Sequence, residues 1–165
     1  DDSFRDGLKS ALLVVLVNDP ETAVRRSVGH LVAVIAKHTV PQGKWPELLP
    51  FLHERCKAEG NDPKVRVAAL EVFASMADSV SESLAQHATG IAHIFLSALQ
   101  DADPAVRRMG LKAFGATVPA FVGDATLDAF APLVPPVLEV ITQCVSTGDD
   151  DVALEGLDAH LPLHS

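Results

Sequence analysis

A five-residue phrase returns along this chain at a fixed interval. Asp62-Pro63-Lys64-Val65-Arg66 recurs as Asp103-Pro104-Ala105-Val106-Arg107, and Asp19-Pro20-Glu21-Thr22-Ala23-Val24-Arg25 is the same phrase with two residues inserted. Val24, Val65 and Val106 stand 41 residues apart at each step. A period in the 40s with helical content predicts an all-α stack of helix pairs, an α-solenoid, and such stacks serve as binding scaffolds. At 165 residues the chain holds about four such units.

Each unit reads as a first helix (A), a turn and a second helix (B). The units fall at 1–41, 42–81, 82–123 and 124–165, the last one incomplete. Asp before Pro is a helix-start signal: the carboxylate accepts amides of the first turn, and Pro needs no amide partner there. The A helices are expected over 3–17, 45–59, 83–99 and 127–146, and the B helices over 21–38, 63–80, 104–118 and from about 150. Pro132, Pro135 and Pro136 predict a late start or a kink in the fourth A helix. Counting on from each repeated Val in steps of four gives Val28, Val32 and Ala36, then Ala69, Phe73 and Ala77, then Gly110, Phe114 and Val118. Steps of four stay on one helix face, so these form the expected core stripe. In the fourth unit Val152 starts the pattern with Gly156, but His160 falls where Phe stood before.

The strongest motif is therefore architectural. Asp19, Asp62 and Asp103 are expected to cap the B helices. Arg25, Arg66 and Arg107 sit one turn in, able to reach carboxylates or carbonyls of a neighbouring unit and form a ladder.

Net charge is −9 and uneven. Residues 1–60 carry eight acids and eight bases, whereas residues 61–165 carry fourteen acids and five bases. This balance argues against nucleic acid or an anionic membrane as partner and suits a basic protein. No uninterrupted apolar run approaches the roughly 18 residues of a membrane span. The chain begins Asp1-Asp2 without a Met and reads as a segment of a longer protein. Cys56 and Cys144 fit neither a metal spacing nor a disulfide framework. Pairs such as His30/His38 and His87/His93 lack the zinc-helix spacing of three or four. No phosphate loop or nucleophile elbow appears. The reading is thus non-enzymatic, with no catalytic, cofactor or metal residues.

On the B helices, the face opposite the Val stripe carries Arg26, His30 and Lys37, then Val67, Glu71 and Asp78, then Arg108, Lys112 and Pro119, then Leu154 and Asp158. Its signs are mixed. Glu71, Asp78 and Asp158 are the candidate contacts to a basic ligand. Trp45, after the Pro41-Gln42-Gly43 break, is expected to close a junction between units.

These features resemble HEAT repeats over essentially the whole chain. Three stretches are more particular: Gly43-Lys44-Trp45-Pro46-Glu47-Leu48-Leu49-Pro50-Phe51-Leu52, Phe130-Ala131-Pro132-Leu133-Val134-Pro135-Pro136-Val137-Leu138, and Asp149-Asp150-Asp151-Val152-Ala153-Leu154-Glu155-Gly156-Leu157-Asp158. In this order they resemble the amino-terminal third of importin-β-type (karyopherin-β) nuclear transport receptors, in the branch that imports ribosomal proteins and histones. The resemblance implies a receptor moving between cytoplasm and nucleus. It implies cargo with a basic import signal and Ran-GTP on the concave B-helix side, and Phe-Gly nucleoporins between A helices. A general HEAT adaptor of the phosphatase-scaffold type is the alternative. A tubulin-binding array would line its turns with Lys and Arg, whereas these turns read Asn-Asp-Pro and Asp-Ala-Asp-Pro. A HEAT-like bilin lyase would need a chemical constellation that the chain does not display.

Overall fold

The computed structural model describes residues 2–77, 84, 87–121, 125–149 and 151–154. It is an α-solenoid, with no strand among the described residues. The helices are α1 (Asp2–Asn18), α2 (Thr22–Thr39), α3 (Leu48–Cys56), α4 (Pro63–Met76), α5 (Ala88–Leu99), α6 (Pro104–Thr117) and α7 (Val134–Thr147). Short 3-10 stretches cover Val118–Phe121 and Ala125–Leu133, and residues 151–154 are helical again.

The repeated phrase starts α4 and α6 in the same way. Asp62 Oδ1 accepts the Lys64 amide at 2.8 Å, and Asp103 Oδ1 accepts the Ala105 and Val106 amides at 2.8 and 3.4 Å. In both helices Pro occupies the first turn, where no amide donor is needed. The two residues inserted in the first copy change the geometry. Glu21 takes the cap position of α2 without a side-chain bond, and Asp19 Oδ1 instead accepts the Glu21 amide at 2.9 Å. Asp19 therefore shapes the turn ahead of the helix.

The first A helix runs slightly beyond its expected span, but the second and fourth start later than their patterns predict. Helix α3 runs only from Leu48 to Cys56, because the chain turns through Trp45-Pro46 before it and Gly60 after it, with Gly60 at φ 74°. The fourth A segment winds as 3-10 through Pro132 and becomes α-helical at Val134, with Pro135 and Pro136 in its first turn. Each Pro removes an amide that a continuous α-helix would use, so regular bonding begins only where none is required. The helix ends on Gly148 at φ 80°.

The B helices α2, α4 and α6 pack side by side along their length, and each also packs on the A helix of its own pair. Along the first three pairs, successive A helices touch one another less. The Val stripe is the seam. Val32, Ala36, Val65, Ala69, Phe73, Ala77, Val106, Phe114 and Val118 are buried. Val24 is exposed, since α2 forms the outer end of the described stack, where Phe4, Leu8, Leu31 and Val34 are also exposed. Trp45 is buried in the α1–α3 junction. Lys9 Nζ lies 5.8 Å from its ring centroid and donates to the Lys44 carbonyl at 2.7 Å.

The segment Leu127–Thr147 spans 21 helical residues with mean hydropathy 1.4, long and apolar enough to cross a membrane by length and composition. Counting only unbroken apolar runs misses it. Its inner face, Phe130, Leu133, Val137, Val140, Ile141 and Cys144, is buried in the core of the stack.

Among the described glycines, the closest approach to a neighbouring helix lies inside the third pair. A Cβ placed on Gly110 of α6 would stand 2.8 Å from Ala98 Cβ and 3.3 Å from the Ala98 carbonyl carbon of α5. Gly110→Ala is expected to destabilise the fold by about 1–3 kcal/mol, because backbone must move to relieve the clash. That outweighs the helix-propensity gain of up to ~1 kcal/mol. Urea unfolding followed by circular dichroism measures the balance, and a net stabilisation would refute the close approach.

Candidate binding surfaces

Two surfaces run along the solenoid, one over the N-terminal ends of the B helices and one between A helices. The first is organised by the Arg of each phrase. Arg25 Nε donates to the Asp19 carbonyl. Arg66 Nη1 donates to the Asn61 carbonyl at 2.5 Å, and Arg107 Nη1 to the carbonyls of Asp101 and Ala102 at 2.7 and 3.1 Å. Each Arg thus folds back onto the turn that precedes its own helix.

Two of the three also reach forward. Arg66 Nη2 donates to Asp101 Oδ1 at 2.9 Å, with both side chains buried. Asp101 Oδ1 also accepts the Asp103 amide at 2.9 Å. Arg107 Nε donates to Gln143 Oε1 on α7 at 3.2 Å, and Arg108 pairs with Asp149 at 3.4 Å. Sequence reasoning missed Asp101 and Gln143 as partners. The position two before Asp103 carries Asp, while its counterpart before Asp62 is Gly60, so periodicity gives no signal.

Of the acidic candidates, Glu71 lies half-buried on α4 and pairs with Arg26 of α2 at 3.5 Å. Asp78 and Asp158 lie outside the described residues. Of the three, Glu71 is the one among the described residues. The N-terminal edge of the B layer carries Arg25, Arg26, Lys64, Arg107 and Arg108, so the acidic excess of the whole chain is not gathered on this edge. The repeated phrase itself is the reason, since it puts a base at the same step of α2, α4 and α6. A groove of about 340 Å³ crosses this edge between α2 and α4 and reaches Asp103 at the start of α6.

The second surface is an apolar hollow of about 180 Å³ between α3 and α5, lined by Leu49, Pro50, His53, Phe73, Ile91 and Ile94 among others. On the same helix, Phe95 and Leu99 lie in the core and Leu96 packs against it.

Neither cysteine is poised for chemistry. Burial pushes the Cys56 thiol far above its ordinary value. Burial, with the Asp149 carboxylate second, raises that of Cys144. The exposed Glu54 carboxyl is held below its usual range by a hydrogen bond from Lys57. Among the described residues no three His, Cys, Asp or Glu side chains converge as metal ligands.

The sequence is similar to that of known proteins. A family model for IPO5-like TPR repeats matches residues 20–160. The probable importin-5 homolog of Dictyostelium discoideum is 27% identical over 155 residues, which is 91% of this chain and 14% of that protein. The probable importin subunit beta-4 of Schizosaccharomyces pombe is 35% identical over 80 residues, 48% of this chain and 7% of that protein. The chain thus spans about a seventh or less of the relatives it matches. A match over residues 20–160, on stacked helix pairs of the kind described, means that the chain belongs to the IPO5-like repeat family of importins.

Proposed function

We propose that this chain is a binding segment of a nuclear transport receptor. In this reading it holds cargo bearing a basic import signal, moves between cytoplasm and nucleus, and releases cargo when Ran-GTP competes. The family match over residues 20–160 carries the reading. The B-helix face supplies a continuous surface across α2, α4 and α6. Glu71 is the described acid on that face, and its partner Arg26 is mostly exposed. A solvent-exposed pair of this kind contributes on the order of 0–1 kcal/mol, so a cargo Lys can displace Arg26 readily. On the opposite side, the hollow between α3 and α5 offers an apolar seat for the Phe side chain of a Phe-Gly nucleoporin repeat.

The test is a fluorescence-anisotropy titration of a labelled Lys-rich import-signal peptide, with and without excess Ran-GTP. Saturable binding that weakens with salt and falls on adding Ran-GTP is expected. Binding indifferent to Ran-GTP would leave a basic-ligand adaptor, and no binding at micromolar concentration would favour the general scaffold.

A further inference from the structure

The repeat register makes two successive joints unequal. Arg66 finds a carboxylate, Asp101, 35 residues ahead. The residue 35 ahead of Arg25 is Gly60, which has no side chain. Arg25 Nη1 is shut off from solvent and has no hydrogen-bond partner. The adjacent Asn61 side chain is already committed, its Oδ1 accepting from Arg55 Nη1 at 3.3 Å and its amide donating to the carbonyls of Glu54, Lys57 and Glu59. So the guanidinium of Arg25 lacks the carboxylate that its successor has.

Beside it lies the groove of about 340 Å³, where Thr22, Arg25, Arg26, Lys64, Val67 and Glu71 form the wall. Its carboxylates are engaged. Glu71 faces Arg26 at 3.5 Å, and Asp103 at the far rim holds the amides of Ala105 and Val106. Lys64 is exposed and pairs with no acid among the described residues. Two cations, Arg25 and Lys64, are therefore left over at one groove.

We propose that this groove takes an Asp or Glu side chain from an extended acidic segment of a partner protein, its carboxylate set against Lys64 and the part of Arg25 that lines the groove, Arg25 Nη1 itself being closed to solvent. The Arg66–Asp101 contact at the next joint shows the same charge pairing made within the chain. Val67 and Ala68 on the groove floor pack the aliphatic stem. The required charge is opposite to that of the import-signal reading, so the two stand or fall separately.

The experiment titrates the 165-residue chain with fluorescein-labelled hexaglutamate by anisotropy, at low and at physiological ionic strength. Saturable binding, weakened by salt, is expected. Arg25→Gln and Lys64→Glu should each weaken it about tenfold or more, the scale of a lost charge-assisted bond. Lys64→Glu alters an exposed side chain and leaves the melting curve unchanged, so it decides the matter even where Arg25→Gln loosens the fold. Failure of hexaglutamate to bind, or binding unmoved by Lys64→Glu, overturns the proposal. Tighter binding of single-stranded oligothymidine than of hexaglutamate also overturns it, because the groove would then be a phosphate site.

Discussion

Arg66→Ala is expected to lower the free energy of unfolding by about 3–5 kcal/mol, the loss typical when one partner of a buried ion pair is removed. Both side chains of the Arg66–Asp101 pair are more than nine-tenths buried, and the contact is 2.9 Å. Without the guanidinium the Asp101 carboxylate keeps only the Asp103 amide, while the Asn61 carbonyl loses its donor as well. The effect therefore measures an uncompensated buried charge, not the net worth of the pair. Removing both partners should recover part of the loss, since the remaining site holds no ion. Urea titrations of the two single variants and the double variant give the coupling directly. A loss below about 1 kcal/mol for Arg66→Ala would mean that water reaches the pair, as it does in surface bridges.

Phe114→Ala should cost about 3–5 kcal/mol through lost burial and the cavity left between helices. The ring is fully buried on α6, with Phe95 of α5 edge-on at a centroid distance of 6.2 Å and 82° between planes. That edge contact contributes roughly 0.5–1.5 kcal/mol beyond buried area. Phe4→Ala is the control, because Phe4 is 71% exposed and its truncation should change stability by less than about 0.5 kcal/mol. Equal effects for the two residues would contradict the assignment of the Val stripe as the core seam.

The B layer was legible in the sequence to within a few residues because three signals coincide there. Asp-Pro marks the start, steps of four mark the face, and the 41-residue interval repeats both. Helices α4 and α6 begin at Pro63 and Pro104 as read. The A helices had no such redundancy. Trp45-Pro46 and the prolines of the fourth segment disrupt backbone bonding in ways that depend on local geometry, so α3 and α7 both start later than their apolar patterns do. The surfaces were less legible still. Arg66 meets Asp101 and Arg26 meets Glu71 across units, and a period says which residues are equivalent without saying which ones touch. Insertion of Glu21 and Thr22 likewise moved Asp19 off the cap, an effect of backbone path that composition cannot report.

The ties between neighbouring helix pairs share one further property. Lys9 to Lys44, Arg66 to Asp101, Arg107 to Gln143 and Arg108 to Asp149 join residues 35, 35, 36 and 41 apart. With Arg26 to Glu71, which are 45 apart, these ties close loops of 35 to 45 residues, and loop-closure entropy depends only on the logarithm of that size. Ordering one more helix pair therefore meets the same entropic barrier wherever along the stack it happens. A chain built this way has no distant ends to bring together, so its folding can begin at any joint and spread in either direction as a zipper closes.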